Sequence, residues 1–186
     1  MIMNNQVKLV IADFDGIYTD GTKTYDDEGW CVSKKMCDRD FSATKRFRAI
    51  GIPVVVITGD EWNIDVLNKR KIPWYHSRLD NKHVPKESFL PKIQERFGIS
   101  SADMIYIGDD LFDISIMKVL GLENSFCPIN SPNIVLDHCN EKFTASAGGD
   151  CISRLFDFLE DEGRIPKVSF EEVFPKMLAL DHEERF

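Results

Sequence analysis

The chain has 186 residues, 43% of them hydrophobic and 29% charged, enough to bury one core without crosslinks. Its net charge of -8, from 23 basic and 31 acidic residues with no long basic run, argues against a nucleic-acid or anionic-membrane partner. Five scattered cysteines without a CxxC argue against a zinc site or disulfide framework and point to a reducing cytoplasm. No apolar stretch reaches membrane-spanning length, and Met1 to Gln6 has no signal-peptide character.

Val7 to Ala12 is an apolar run of strand length, followed by Asp13, Phe14, Asp15 and Gly16. A continuously apolar strand is buried on both faces of a parallel sheet, and such a sheet binds ligands beyond its C-terminal edge. Two runs, Gly21–Tyr25 and Trp30–Met36, flank an Asp/Gly turn and predict a hairpin over about residues 21–36. It is too small for a domain and is read as a flap beside the Asp pair. Asp40 to Ile50 has helical spacing, and Gly51 stops it.

Pro53–Ile57 predicts a second buried strand ending in Thr58-Gly59-Asp60. A helix over about Glu61 to Lys71 and a short strand at Ile72–Tyr75 come next. The polar loop Ser77–Pro85 carries Arg78, Asp80, Asn81, Lys82 and His83, and a helix starts at Lys86 or Glu87 and ends at Gly98. Met104–Ile107 is a fourth strand, followed at once by Gly108-Asp-Asp-Leu-Phe-Asp113 and a helix to Leu120. Asn124–Ile129 supplies a fifth strand, Pro132–Cys139 a helix, Lys142–Thr144 an edge strand and Cys151–Glu160 a helix after Gly148-Gly149. The tail from Gly163 contains an amphipathic piece over Phe170–Leu180. This alternation predicts a doubly wound α/β sheet. The division expected is one domain over residues 1–162 and a tail over 163–186.

If the sheet is parallel, Asp13, Asp15, Asp109, Asp110 and Asp113 emerge on one edge. Like charges about 4 Å apart repel by roughly 4 kcal/mol at an effective dielectric of about 20, so the cluster calls for protonation or a cation. An all-oxygen donor set suits Mg²⁺, with Asp13, Asp15 and Asp109 as expected ligands. With a lysine and a hydroxyl nearby, this describes a phosphate site. Asp13 is the expected nucleophile and Asp15 the expected acid and base. Gly16, Thr58, Gly59 and Lys86 bind the phosphoryl group, while Asp110 and Asp113 hold metal waters or orient the lysine. Lys86 is preferred over Lys82 because it opens a helix. The simpler readings are strand-end turns for Asp13/Asp15 and Thr58-Gly59, and a helix N-terminal turn for Asp110 and Asp113. His76, His83 and His138 are read as surface or core residues, and Asp137-His-Cys139 lacks the further ligands a metal would need.

Asp13-Phe-Asp-Gly16, Ile57-Thr-Gly59, Lys86 and Gly108-Asp-Asp-x-x-Asp113, in that order, resemble the haloacid dehalogenase superfamily of phosphatases. Asp15-Gly-Ile-Tyr-Thr-Asp-Gly21, the small hairpin and Gly148-Gly149 are similar to its capless, tetrameric sugar-acid phosphatases. That group acts on 3-deoxy-octulosonate 8-phosphate or nonulosonate 9-phosphate and includes phosphatase-like domains of some CMP-sialate synthetases. The resemblance spans about residues 6–160 and implies a Mg²⁺-dependent phosphomonoesterase acting through an aspartyl-phosphate. Departures are Asp60, where the octulosonate enzymes usually carry Arg, Arg39-Asp-Phe-Ser-Ala43 after the hairpin, and Gly148-Gly-Asp-Cys151. Asp60, Arg78 and Lys82 are the expected substrate contacts. Tyr25, Trp30, Val32 and Met36 give the hairpin too much apolar surface for a solvated ribbon, so a homo-oligomer, a tetramer by resemblance, is expected. A phospho-acceptor signalling domain and a non-catalytic oligomerisation module are the readings from other classes.

Overall fold

A computed structural model of the protein describes residues 6–184. Expectations for the first five residues and the last two lie outside the described residues. Five strands form one parallel sheet: β1 (Leu9–Ala12), β4 (Val54–Thr58), β5 (Trp74–His76), β8 (Met104–Ile107) and β9 (Ser125–Phe126), in the order β5-β4-β1-β8-β9. The chain runs outward from β1 through β4 to β5, then returns to β8 on the other side of β1. The order therefore reverses beside β1, and the crevice at its C-terminal end is where such sheets hold ligands.

The central strands are buried along their whole length because helices cover both faces. Alternation sorts their side chains into two cores. Val10, Ala12, Val54, Val56, Ile105 and Ile107 pack with Phe47 of α1 (Asp38–Ala49), Leu67 of α2 (Trp62–Lys69) and Phe156 of α6 (Cys151–Asp161). Leu9, Ile11, Val55, Ile57, Met104 and Tyr106 pack with Ile93 of α3 (Leu90–Phe97) and Met117 of α4 (Ile114–Leu120). Each such aliphatic side chain stabilises the fold by about 1.5–3 kcal/mol on burial, so the sheet is a stiff platform for the loops at its edge.

A buried carboxyl joins α1 to α6: Asp40 Oδ1 accepts the N–H groups of Ile152 (2.7 Å) and Ser153 (3.1 Å) at the start of α6. These are donors that a helix leaves unpaired at its first turn. The tail forms α7 (Phe170–Glu183), opened by a capping box between Ser169 and Glu172. It lies on α1, where Lys45 pairs with Asp181 and Glu184, and Glu184 also reaches Arg70 at 3.0 Å. The flap is an antiparallel ribbon of β2 (Thr19–Tyr25) and β3 (Cys31–Met36), and among the described residues no further domain covers the sheet edge. Among the described residues, no helix is long and apolar enough to cross a membrane.

Several expected elements differ. Lys142–Thr144 is not a strand; Phe143 is instead a core plug, edge-on to Phe126 and Phe158 at 5.5 and 5.8 Å. The fifth strand is two residues long rather than six, because β9 has only the end of β8 to pair with. The helix expected over Pro132–Cys139 is the single turn α5 (Asn133–Leu136). The loop Ser77–Pro85 contains a small ribbon, β6 (Arg78–Leu79) with β7 (Lys82–His83), turned through Asp80 and Asn81 at positive φ of 47° and 59°. Asp and Asn are the residues that tolerate this conformation. The helix at Lys86 begins with a 3-10 turn (Lys86–Phe89) before Pro91 allows α3 to start.

Candidate active site

The C-terminal ends of β1, β4 and β8 bring Asp13, Thr58 and Asp109 to one cleft of about 930 Å³, whose lining includes Asp13, Asp15, Thr58, Gly59, Lys86 and Asp110. Gly16 makes the turn after the Asp pair at φ +80°, and a Cβ there would sit on the Asp109 carboxylate. Only glycine lets these two loops meet. Phe14 points into the core, stacked on Tyr18 at 5.4 Å, so Asp13 and Asp15 share the other side.

Beside the cleft, where Asp13 lines it, Asp13, Asp109 and Asp113 each offer a carboxylate oxygen, all within 4.8 Å of one another. Burial, with the charge of Asp113 beside it, raises the Asp13 carboxyl above its ordinary range against the pull of Lys86. Burial and then the charges of Asp13 and Asp113 push Asp109 up to about 8. Asp13 and Asp109, two buried carboxyls that resist joint ionisation, make a site suited to a cation, and oxygen-only donors suit a hard divalent ion such as Mg²⁺. The set expected from sequence was Asp13, Asp15 and Asp109. In the structure the third carboxyl is that of Asp113, whereas the Asp15 side chain turns away to the flap.

Lys86 is buried, with Nζ 3.0 Å from Asp13 Oδ1 and 2.6 Å from Asp113 Oδ1. Burial would depress this amine, but the two carboxylates outweigh it and hold the ammonium protonated. Asp113 fixes the lysine while accepting the N–H groups of Asp109 (2.9 Å) and Asp110 (3.0 Å) and the hydroxyl of Tyr106 (2.5 Å). Asp110 caps the turn Leu111–Asp113, accepting from the Leu111 N–H at 2.6 Å. The helix-turn reading and the lysine-orienting reading thus describe the same side chains.

Opposite the cluster, Thr58 Oγ accepts from Asp60 N–H (3.2 Å) and Asn63 Nδ2 (2.8 Å). Asp60 is committed to ion pairs with Lys23 (2.6 Å) and Lys34 (2.8 Å). Burial would raise its carboxyl, but hydrogen bonds from the two lysines hold it well below the usual range. Arg78 lines the cleft with His83, its register partner across the β6–β7 ribbon. Lys82 pairs with Leu79 on the opposite face and does not line the cleft, because neighbours along a strand point to opposite sides. Lys86, not Lys82, therefore reaches Asp13. His76 and His83, expected to be bland surface or core residues, both line the cleft, and the His83 ring packs tilted against Phe112 with centroids 4.7 Å apart.

Four residues of the site carried no readable signal: Lys23, Lys34, Asn63 and Tyr106. The lysines sit on a two-stranded ribbon, where a lysine side chain ordinarily points to solvent, and Asn63 and Tyr106 lie within ordinary helix and strand patterns.

Residues 60–155 match the family described as haloacid dehalogenase-like hydrolase. The 3-deoxy-D-manno-octulosonate 8-phosphate phosphatase of Haemophilus influenzae is 25% identical over 153 residues, 82% of each chain. The solved cobalt-bound form of that organism's deoxy-D-mannose-octulosonate 8-phosphate phosphatase superposes with a TM-score of 0.74 at 24% identity, over 94% of this chain and 98% of that one. The 3-deoxy-D-manno-octulosonate 8-phosphate phosphatase of Moraxella catarrhalis, solved with a magnesium ion, a phosphate ion and KDO, gives 0.71 at 21% identity, over 85% and 88%.

Proposed function

The chain belongs to the haloacid dehalogenase-like hydrolases, and from that premise we propose that it is a Mg²⁺-dependent phosphatase of a phosphorylated eight- or nine-carbon sugar acid. The observation that carries the reading is the Asp13 carboxylate held 3.0 Å from a buried lysine, at the sheet edge where Asp109 and Asp113 complete an oxygen cluster. Asp13 Oδ forms a bond to phosphorus as the ester P–O bond breaks, giving an aspartyl-phosphate. Asp15 gives its proton to the departing alkoxide, then takes one from the water that releases inorganic phosphate. Lys86, with Thr58 and the backbone around Gly16 and Gly59, neutralises and orients the phosphoryl oxygens. Asp13 and Asp109 are the side chains that would hold the Mg²⁺ directly, with Asp113 fixing Lys86 beside them, and when bound the ion would offset charge on the transferring group.

The substrate class is supported by the octulosonate phosphatases to which the chain is similar and by a small, polar cleft carrying Arg78 and His83. Those side chains suit the carboxylate and hydroxyls of a sugar acid. The test is phosphate release from a panel of sugar-acid, nucleotide and hexose phosphates, with and without Mg²⁺. Sugar-acid esters should give the highest kcat/KM, and a wide preference for nucleotides or for metal-free buffer would refute the proposal.

The metal leaves a pH signature. Asp109 is raised from 3.8 to about 8 in the fold, so without metal the folded protein keeps a proton that the unfolded chain has lost. The stability tied to that proton is present at low pH and disappears as pH rises through about 8. The rise in Tm on adding Mg²⁺ should therefore grow with pH over this range. At 100 times its Kd the ion should add about 2.7 kcal/mol. A metal effect that shrank towards high pH would contradict this.

The active unit is proposed to be a homo-oligomer, in which a neighbour's surface closes the open cleft. Tyr25, Trp30 and Val32 on the flap are 57%, 70% and 53% exposed in the single chain, a patch that calls for burial. Sedimentation should show a species near four times 21.4 kDa. Trp30→Asp should dissociate it and lower activity while leaving the helical signal unchanged, and a fully active monomer would rule the proposal out.

A further inference from the structure

Two flap lysines that the proposed reaction does not use converge on the carboxyl of Asp15. Lys23 on β2 and Lys34 on β3 are register partners, directly opposite each other in the ribbon. Like charges so placed destabilise an antiparallel pair. The compensation comes from outside the ribbon. Lys34 Nζ is fully buried and lies 2.8 and 2.9 Å from the two Asp15 oxygens, 2.8 Å from Asp60 Oδ2 and 2.7 Å from Asn63 Oδ1. An ammonium has three protons, and three side chains take them, Asp15 from the loop after β1 and Asp60 and Asn63 from around the start of α2. Lys23 reaches Asp60 at 2.6 Å and Asp15 at 3.7 Å. Asn63, itself buried, donates through Nδ2 to Asp15 Oδ2 at 3.1 Å and to Thr58 Oγ at 2.8 Å.

Both Asp15 oxygens are thus engaged on the flap side of the cleft, away from the Asp13–Asp109–Asp113 cluster. A buried ion pair is a poor way to stabilise a fold, since apolar residues of similar volume do as well or better. A methionine at position 34 could hold the ribbon down. It could not fix which way the Asp15 carboxyl points, and a misplacement of about 1 Å can cost roughly 10²-fold in rate.

We propose that Lys34, backed by Asn63 and Lys23, is the positioning residue that holds Asp15 facing the leaving group, so that docking of the flap assembles the acid. The inference rests on the function proposed above, in which Asp15 exchanges the proton.

The test compares a sugar-acid phosphate, whose alkoxide needs a proton to leave, with p-nitrophenyl phosphate, whose phenolate does not. In Lys34→Met, kcat for the sugar-acid ester should fall by about 10²-fold, the low end of what general acid catalysis contributes, with KM little changed. The aryl ester should lose far less, and Asp15→Asn should show the same asymmetry. A parallel fall for both esters, a change confined to KM, or no change overturns the inference. If Lys34→Met does not fold, Lys23→Met, at a side chain 26% exposed, should give the asymmetry in weaker form, and an equal or absent response there overturns it too. Asp13→Asn separates the two levels of the argument. If that variant turns over, the proposed reaction fails; if it is dead and the asymmetry is missing, only the role of Lys34 fails.

Discussion

Asp13→Asn is expected to abolish phosphatase activity, lowering kcat by about 10⁴-fold or more, which is about 5 kcal/mol of transition-state stabilisation. Asparagine has the shape of the carboxylate but cannot attack phosphorus. The same change should leave the metal-free protein as stable as the wild type or more so. Burial and the neighbouring Asp113 charge disfavour ionised Asp13 in the fold, so a neutral amide relieves a cost. Lys86 keeps its ion pair with Asp113 at 2.6 Å and is not left alone. Steady-state kinetics and a thermal melt in EDTA check both halves. Near-normal turnover would remove Asp13 from the reaction, and a large drop in Tm would show that the carboxylate holds the fold instead.

The second large effect is expected from one methyl group. In Gly16→Ala the new Cβ falls on the Asp109 carboxylate, at a backbone φ of +80° that costs an L-residue roughly 1–2 kcal/mol. Asp109 must swing away, which takes one oxygen out of the cluster it shares with Asp13 and Asp113. Activity should fall by about 10²-fold or more, the usual cost of displacing an aligned group by about 1 Å. The Mg²⁺ needed for half-maximal rate should rise as well. Gly51→Ala is the control: its φ is +84°, but its Cβ meets nothing within 4 Å. It should lose similar backbone stability and keep full activity at saturating metal. If both variants behaved alike, strain rather than the close approach to Asp109 would be the cause.

The parts of this molecule written locally were readable in sequence, and the parts written by contact were not. Strands β1, β4 and β8 were legible because apolar runs buried on both faces have no other use, and Asp13, Thr58 and Asp109 follow from where those runs stop. Lys86 was legible from its place at a helix start. Phe143 misled, since a β-favouring run around an aromatic predicts a strand whether the ring lies in a sheet or plugs a core. The direction of the Asp15 carboxyl was not legible, because its position two residues after Asp13 fixes its side of the strand but not its rotamer. The rotamer is set by Lys34 and Asn63, which reach it from 19 and 48 residues away. Lys82 was a phase error, one residue from the cleft-lining His83. Asp60 carries the acidic character expected of it, yet two lysines already occupy its carboxylate.

The paired lysines of the ribbon also bear on how the chain assembles. Residues 19–36 are synthesised before Asp60 and Asn63, which lie 26 and 29 residues beyond Lys34. Until those residues arrive, Lys23 and Lys34 face each other with only Asp15 between them, in a two-stranded ribbon that is marginal even without repulsion. The ribbon also carries Tyr25, Trp30 and Val32, apolar enough to pair with another nascent chain. Its own charge works against such early pairing. Only when β4 and α2 are in place do the carboxylates close around the two ammonium groups. The flap side of the crevice therefore docks only on a chain in which β4 and α2 have already taken their places.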